Sequence, residues 1–229
     1  SAKASMERII SEASRRFLTL TELDRSIQKC LADIGRFSSA GRAYLFQFSP
    51  NETTMNNTHE WCAPGVKPEI DNLQDLPLSM FPWWMSLLGA GKNIHINSVA
   101  DLPPEARAEK KVLEAQNIKS VLVVPLLLDN RLAGFMGFDN VASERAWGDK
   151  ELRPLRTLAD IIGTAITRKR AGEALQESEE RLRLQIERMP IALILWDRHF
   201  RVVTWNPAAE SIFGYSREEA MGRHPYGMI

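Results

Sequence analysis

Four histidines and two cysteines are the residues with the richest chemistry in this 229-residue chain. None of the histidines stands beside a Cys or Asp pair at zinc-ligand spacing, so no metal site is assigned. His59 alternates with Trp61 on a predicted strand. It could meet a ligand or a haem, but a hydrogen-bonded histidine at a sheet surface is the favoured reading. His95 has the same status, and His199 falls in a tight turn. Cys30 sits at helical spacing among Leu23, Ile27, Leu31 and Ile34 and reads as a small core residue. A Gly-rich phosphate loop, a Ser/His/Asp set and a nucleophile elbow are all missing, so the chain offers no catalytic residues. Gly134 and Gly137 are too sparse for a phosphate cradle, and close helix packing is the favoured explanation for them. The acidic residues read as solvated helix surface. Arg168-Lys169-Arg170 lacks interleaved aromatics and reads as a solvated helix face, not a nucleic-acid patch.

A binding site is better supported than a catalytic one. The sheet face bearing His59, Trp61 and Phe138, roofed by Phe81, Trp83 and Trp84, would make an apolar pocket for a small organic ligand. The same aromatics would equally serve as core filling, and both readings stand. No cofactor can be named.

The elements that must position these residues follow from periodicity. Met6 to Leu18 and a segment ending near Phe37 read as helices, with a capping box from Thr19 and Glu22. Ala43–Phe48 and Thr54–Cys62 read as a hairpin. Met55, Asn57, His59 and Trp61 are assigned to one face of its second strand by strict alternation. The stretch 66–91 reads as an irregular cover over a sheet face. Pro103-Pro104 opens a surface helix to about Asn117. Val121–Leu128 reads as a strand buried on both faces, with Pro125 marking a bulge or an edge. Asp129-Asn130 turns the chain into a last strand, Leu132–Asp139.

Asp149 to Met189 reads as one long helix capped by Asp149. Leu158, Ile161, Ala165, Leu175, Leu182, Ile186 and Met189 follow a heptad-like seam, the pattern that pairs two helices, so a homodimer through this linker is expected. Leu155, Ile162 and Ile166 form a second stripe. Gly172 softens the seam. Glu177 with Arg181 and Glu179 with Arg183 are placed for one-turn ion pairs. Beyond Pro190 a small hairpin, an Asn206-Pro207 helix start, Gly214 and a Ser216/Glu219 capping box follow.

Formal charge balances at +0 and 44% of residues are hydrophobic, as in an ordinary globular protein without a nucleic-acid-binding bias. No apolar run reaches membrane-spanning length, and the cysteine usage fits a reducing cytoplasm. The chain reads as a fragment of a longer protein.

The order of elements resembles a GAF domain over residues 6–168, whose last helix begins at 149. The resemblance is carried by His59-Glu60-Trp61-Cys62, Ser120–Leu126 and Gly134-Phe135-Met136-Gly137-Phe138-Asp139. Glu177-Ser178-Glu179-Glu180-Arg181 is similar to the connector that precedes PAS domains. Residues 190–229 resemble the first part of a PAS domain, through Asp197, Trp205–Glu210 and Gly214-Tyr215-Ser216. The resemblance implies an α+β fold: a six-stranded antiparallel sheet with helices on one face and a pocket on the other, a long linker helix over 149–189, and a partial PAS fold. It further implies a sensory segment of a bacterial signalling protein, coupled to an output module, foremost a histidine kinase. The alternatives are the regulatory region of a diguanylate cyclase or phosphodiesterase, or a GAF domain that only dimerises. Some photoreceptor GAF domains tether a bilin through a cysteine. Cys62 is not assigned that role, because the Cys-His neighbour pair is absent. The cyclic-nucleotide motif of other GAF domains is absent as well.

Overall fold

The computed structural model describes all residues except 1, 21, 225, 227 and 229, and for residues 2–5 the backbone only. The chain divides into two units, residues 1–169 and 170–229.

The first unit is built on an antiparallel sheet of six strands: β1 (Arg42–Phe48), β2 (Thr54–Cys62), β3 (Leu76–Pro77), β4 (Ile94–Ile96), β5 (Ser120–Leu128) and β6 (Arg131–Asn140), in the order β3-β2-β1-β6-β5-β4. Its two faces carry separate cores. Leu45, Leu122, Val124, Leu126, Met136 and Phe138 face α1 (Ala2–Arg16), α2 (Leu23–Phe37) and the first half of α5 (Asp149–Glu187). Tyr44, Phe46, Met55, Val121, Val123 and Phe135 face the opposite way, under α3 (Pro82–Gly89) and α4 (Arg107–Ala115). The division follows the two-residue period of each strand.

β5 is buried on both faces, as its unbroken apolar run requires. Pro125 lies beyond the 121–123 segment that pairs with β4, so its missing N–H leaves no ladder bond unmade on that side. Asp129 and Asn130 turn at φ 48° and 63°, the left-handed region that short polar side chains tolerate. Gly134 and Gly137 answer to strand packing, not to the helix packing expected for them. A Cβ on Gly134 would lie 2.0 Å from the Phe46 carbonyl oxygen, and one on Gly137 would lie 2.8 Å from the Tyr44 ring.

Local capping departs from expectation at two helices. The N-cap of α2 is Glu22 with no side-chain cap bond, so Thr19 and Glu22 form no capping box. At α5, Asp149 is already the first helical residue. Glu151 does the work instead: its Oε2 accepts from the Gly148 N–H at 3.1 Å and its Oε1 lies 3.0 Å from Arg145. Acidic residues are also less uniformly solvated than expected, since Glu109, Asp139 and Glu151 are buried.

α5 is one uninterrupted helix of 39 residues. It ends at Glu187, so Met189 lies just past it. Leu155, Leu158, Ala159, Ile162, Ala165 and Ile166 all enter the helix-side core of the first unit. The two stripes expected on this helix therefore merge into one buried face at its start. After Ile166 the helix is mostly exposed. Arg183 pairs with Glu180 and Glu187, at 2.7 and 2.9 Å, and not with Glu179. No helix among the described residues is long and apolar enough to cross a membrane.

In the second unit β7 (Ile194–Trp196) and β8 (Val202–Trp205) form an antiparallel pair, followed by α6 (Pro207–Phe213) and α7 (Arg217–Ala220). Val202, Trp205, Ala209 and Ala220 make its small core. Asn206 ties it together. Its Oδ1 accepts from the N–H groups of Leu193 and Ala209, both at 2.9 Å, and its Nδ2 donates to the Ile191 carbonyl at 2.9 Å. Gly214 closes α6 at φ 79°, and Ser216 with Glu219 forms the full capping box.

Candidate functional site

A cavity of about 50 Å³ lies between the sheet of the first unit and the α3–α4 cover. Its floor is Tyr44 and Phe46 from β1, Met55 and Glu60 from β2, and Phe135 and Asp139 from β6. Its roof is Phe81 and Trp84 at α3, with Glu109, Val112 and Leu113 from α4. The aromatic wall is ordered by ring contacts. Phe46 stacks on Phe135 at 4.6 Å between centroids, Tyr44 meets Phe46 edge-on at 5.7 Å, and Trp84 tilts against Phe135 at 5.9 Å.

Charged groups occupy one side of this apolar space. Arg42 Nε lies 3.3 Å from Asp139 Oδ1, with both side chains almost fully buried. The Arg42 guanidinium also donates to the Gln116 side-chain and backbone oxygens, at 3.2 and 3.4 Å. Burial pushes the Asp139 carboxyl up to about 7, against the pull of Arg42. Glu60 is held by backbone: its Oε2 accepts from the N–H groups of Glu69 and Ile70, at 2.8 and 3.2 Å, and its Oε1 from Asn57 Nδ2 at 3.1 Å. Burial also raises the Tyr44 hydroxyl, which lies 3.5 Å from the Phe138 carbonyl.

Glu109 is different. It has no solvent exposure, and its Oε1 accepts from the Trp84 N–H in the first turn of α3 at 3.1 Å. Its Oε2 finds no hydrogen-bond partner among the described residues, nor does the Trp84 indole N–H. A buried acceptor left unpaired is costly, so the cavity holds unmet hydrogen-bonding capacity.

The six residues expected to share a pocket do not converge. Phe81 and Trp84 line the cavity. Trp83 is half-buried and packs on the same core without reaching the lining. His59, Trp61 and Phe138 face the helices on the other side of the sheet. Phe138 lies in that core 5.8 Å from Trp147, and Trp61 packs over Gly35 beneath the Arg36 guanidinium. His59 Nε2 stands 3.4 Å from Asp24, and burial lowers its pKa against the pull of that carboxylate.

For His59 and Trp61 the cause is a β-bulge; Phe138 faces the helices by ordinary alternation with Phe135 on β6. Leu45 pairs with His59, but Phe46 pairs with Asn57, so Thr58 is an extra residue in β2. An extra residue reverses the facing of all that follows. Met55 stays on the cavity side, while His59 and Trp61 cross over and Glu60 takes their place.

Sequence reasoning missed Arg42, Glu60, Glu109 and Asp139. Three of these had a usable signal. Arg42 alternates with Tyr44 and Phe46, and Asp139 with Gly137 and Phe135. Glu109 falls between Ala106 and Leu113 at helical spacing, a lone acid on an otherwise apolar stripe.

With this geometry in place, comparison with known proteins defines the class. Residues 22–166 match the sequence model of the GAF domain, and residues 180–229 match that of the PAS fold. The chain belongs to the GAF domain family and carries a PAS-fold segment after its long helix. It is 34% identical over 179 residues to the methanogenesis regulatory histidine kinase FilI of Methanothrix harundinacea (strain 6Ac), which covers 76% of this chain. The chain spans only 20% of that protein's length. An uncharacterized protein of Azorhizobium caulinodans is 27% identical over 106 residues, covering 46% of this chain and 14% of that protein.

Among solved structures, the phycoerythrobilin-bound GAF domain of a cyanobacterial phytochrome aligns with a TM-score of 0.62 at 19% identity, covering 73% of this chain and 97% of that one. The chromophore-binding domain of the bacteriophytochrome RpBphP3 from R. palustris aligns at 0.61 and 16% identity, covering 78% and 64%. At these identities the likeness is one of fold.

Proposed function

We propose that this chain is the sensory region of a bacterial signalling protein whose output module is a histidine kinase. In this reading the cavity under α3 and α4 takes a small ligand. α5 pairs with its counterpart in a second copy, and occupancy of the cavity biases that pairing. The GAF and PAS matches and the similarity to FilI support the sensory role. The two free cysteines fit a reducing cytoplasm. The observation that carries the ligand-binding part is the unpartnered Glu109 carboxylate oxygen in the wall of an apolar cavity. Leu175 and Leu182, 61% and 56% exposed on α5 and seven residues apart, support the pairing.

A bilin is not proposed. Pockets for ligands of that order run to about 300–1,000 Å³. The Cys62 thiol is also pushed up to about 12, by burial and then by the neighbouring Glu60 carboxylate, which disfavours the thiolate that would attack a chromophore.

A second reading, a GAF unit without ligand that serves dimerisation alone, draws on the small cavity volume of about 50 Å³. A thermal-shift screen of small metabolites separates the two. The ligand-binding reading requires at least one compound that raises the melting temperature of the wild type and leaves Val112→Phe, with its cavity filled, unmoved. A screen in which nothing stabilises an intact dimer favours the structural reading.

A further inference from the structure

We propose that the cavity is selective for a small alkylated ammonium ion, with Glu109 as its counter-charge. This rests on the reading of the cavity as a ligand site.

The balance of charge sets the sign. Glu60, Glu109 and Asp139 line the cavity against one guanidinium, that of Arg42. Arg42 is already committed, to Asp139 at 3.3 Å and to Gln116 at 3.2 Å. Glu60 is satisfied by two backbone N–H groups. Glu109 has one oxygen on the first turn of α3, where the helix dipole favours a negative charge, and one oxygen without a partner among the described residues. A buried carboxylate half-satisfied in apolar surroundings calls for a cation. An anion would meet three acids and no free donor cation among the described lining residues.

The surroundings set the chemistry of that cation. Tyr44, Phe46, Phe81, Trp84 and Phe135 put aromatic rings around the cavity, and ring faces attract alkylated ammonium groups. One N–H of the ligand would donate to Glu109 Oε2, a charge-assisted bond, while its methyl groups rest on the rings. A hydrated metal ion would leave those rings unused. The cavity of about 50 Å³ limits the ligand to a few heavy atoms, since a single water needs roughly 10–15 Å³ of such space.

Three probes that share three methyl groups on one central atom and differ in charge test this on the 229-residue chain: trimethylammonium, tert-butanol as the neutral probe nearest to it in size, and the larger trimethylacetate as the anion. Each is titrated calorimetrically at neutral pH and constant ionic strength, against the wild type, Glu109→Gln and Val112→Phe. Folding of both variants is checked by circular dichroism. The expected result is binding of trimethylammonium at least about tenfold tighter than of either other probe, as a single charge-assisted contact would give. Glu109→Gln should erase that preference and Val112→Phe should abolish binding. Should Glu109→Gln fail to fold, the charge series on wild type and Val112→Phe decides alone. Equal or tighter binding of tert-butanol or trimethylacetate, blocked by Val112→Phe, overturns the cation assignment and leaves the ligand site standing. Trimethylammonium binding that survives either folded variant, or no binding of it at all, also overturns the assignment. The ligand-site reading itself then falls only if the metabolite screen is empty too.

Discussion

Arg42 and Asp139 stand directly opposite each other on β1 and β6, with Nε and Oδ1 3.3 Å apart and both side chains about 3% exposed. Both residues line the cavity. An ion pair this deep is paid for in desolvation, which offsets much of its Coulomb attraction.

That offset gives a pH dependence. Burial holds the Asp139 carboxyl at about 7, whereas an aspartate in an unfolded chain titrates at about 3.9. Between these values the native state keeps the proton and the unfolded state releases it. Protonation therefore adds stability as pH falls from about 7 toward 4, and that increment is lost as pH rises through about 7. The melting temperature of the wild type minus that of Asp139→Asn should grow on acidification from pH 8 to pH 5 (about the span of the transition). A difference that stays flat, or shrinks, would contradict the raised value.

Two glycines on α5 should respond in opposite directions to the same change. A Cβ on Gly163 would lie 2.5 Å from the Leu127 carbonyl oxygen, so Gly163→Ala should cost about 1–3 kcal/mol by forcing helix and strand apart. Gly172 has open space around it, and Gly172→Ala should raise local helix stability by about 1 kcal/mol. Denaturant melts and amide exchange across α5 report both.

The apolar positions of α5 divide by role. Leu158 is fully buried in the first unit, so Leu158→Ala should cost about 2–5 kcal/mol in urea melts. Leu175→Ala with Leu182→Ala should leave those melts within about 0.5 kcal/mol per site at protein concentrations low enough to keep the chain monomeric, where dimer linkage does not contribute. The same pair of changes should weaken the proposed dimer about tenfold or more in sedimentation velocity. A dimer indifferent to both leucines would place its contact elsewhere.

Asn206 holds β7, β8 and α6 together through its cap on Ala209 and its bonds to Leu193 and Ile191. Asn206→Ala should remove the cap and orphan two backbone groups, a loss of about 1–2 kcal/mol. Hydrogen exchange over residues 191–220 should accelerate accordingly, with the first unit unchanged.

Much of this architecture was readable because local chemistry and tertiary need agree. Asp129-Asn130, Asn206-Pro207, Gly214 and Ser216/Glu219 each announce a turn or cap, and each forms it. The doubly apolar run of β5 told of a central position in the sheet. The candidate site was less readable for three physical reasons. The bulge at Thr58 reverses the facing of His59 and Trp61, and nothing in Asn57-Thr58-His59 marks it. Glu109 is buried by a partner 25 residues earlier, Trp84, a contact that helical periodicity does not encode. Leu158 and Ala165 fit a heptad seam and a domain core equally well, and only the packed unit shows that the core takes them.

The central claim is that filling the GAF cavity changes the pairing of α5. Sedimentation equilibrium of the 229-residue chain, with and without a saturating compound that stabilises wild type but not Val112→Phe, measures it directly. The account predicts a change in dimer dissociation constant of about fivefold or more, matched by linkage in the affinity of monomer and dimer for the compound. A compound that occupies the cavity while the dimer constant stays the same, or a chain that remains monomeric throughout, would contradict it.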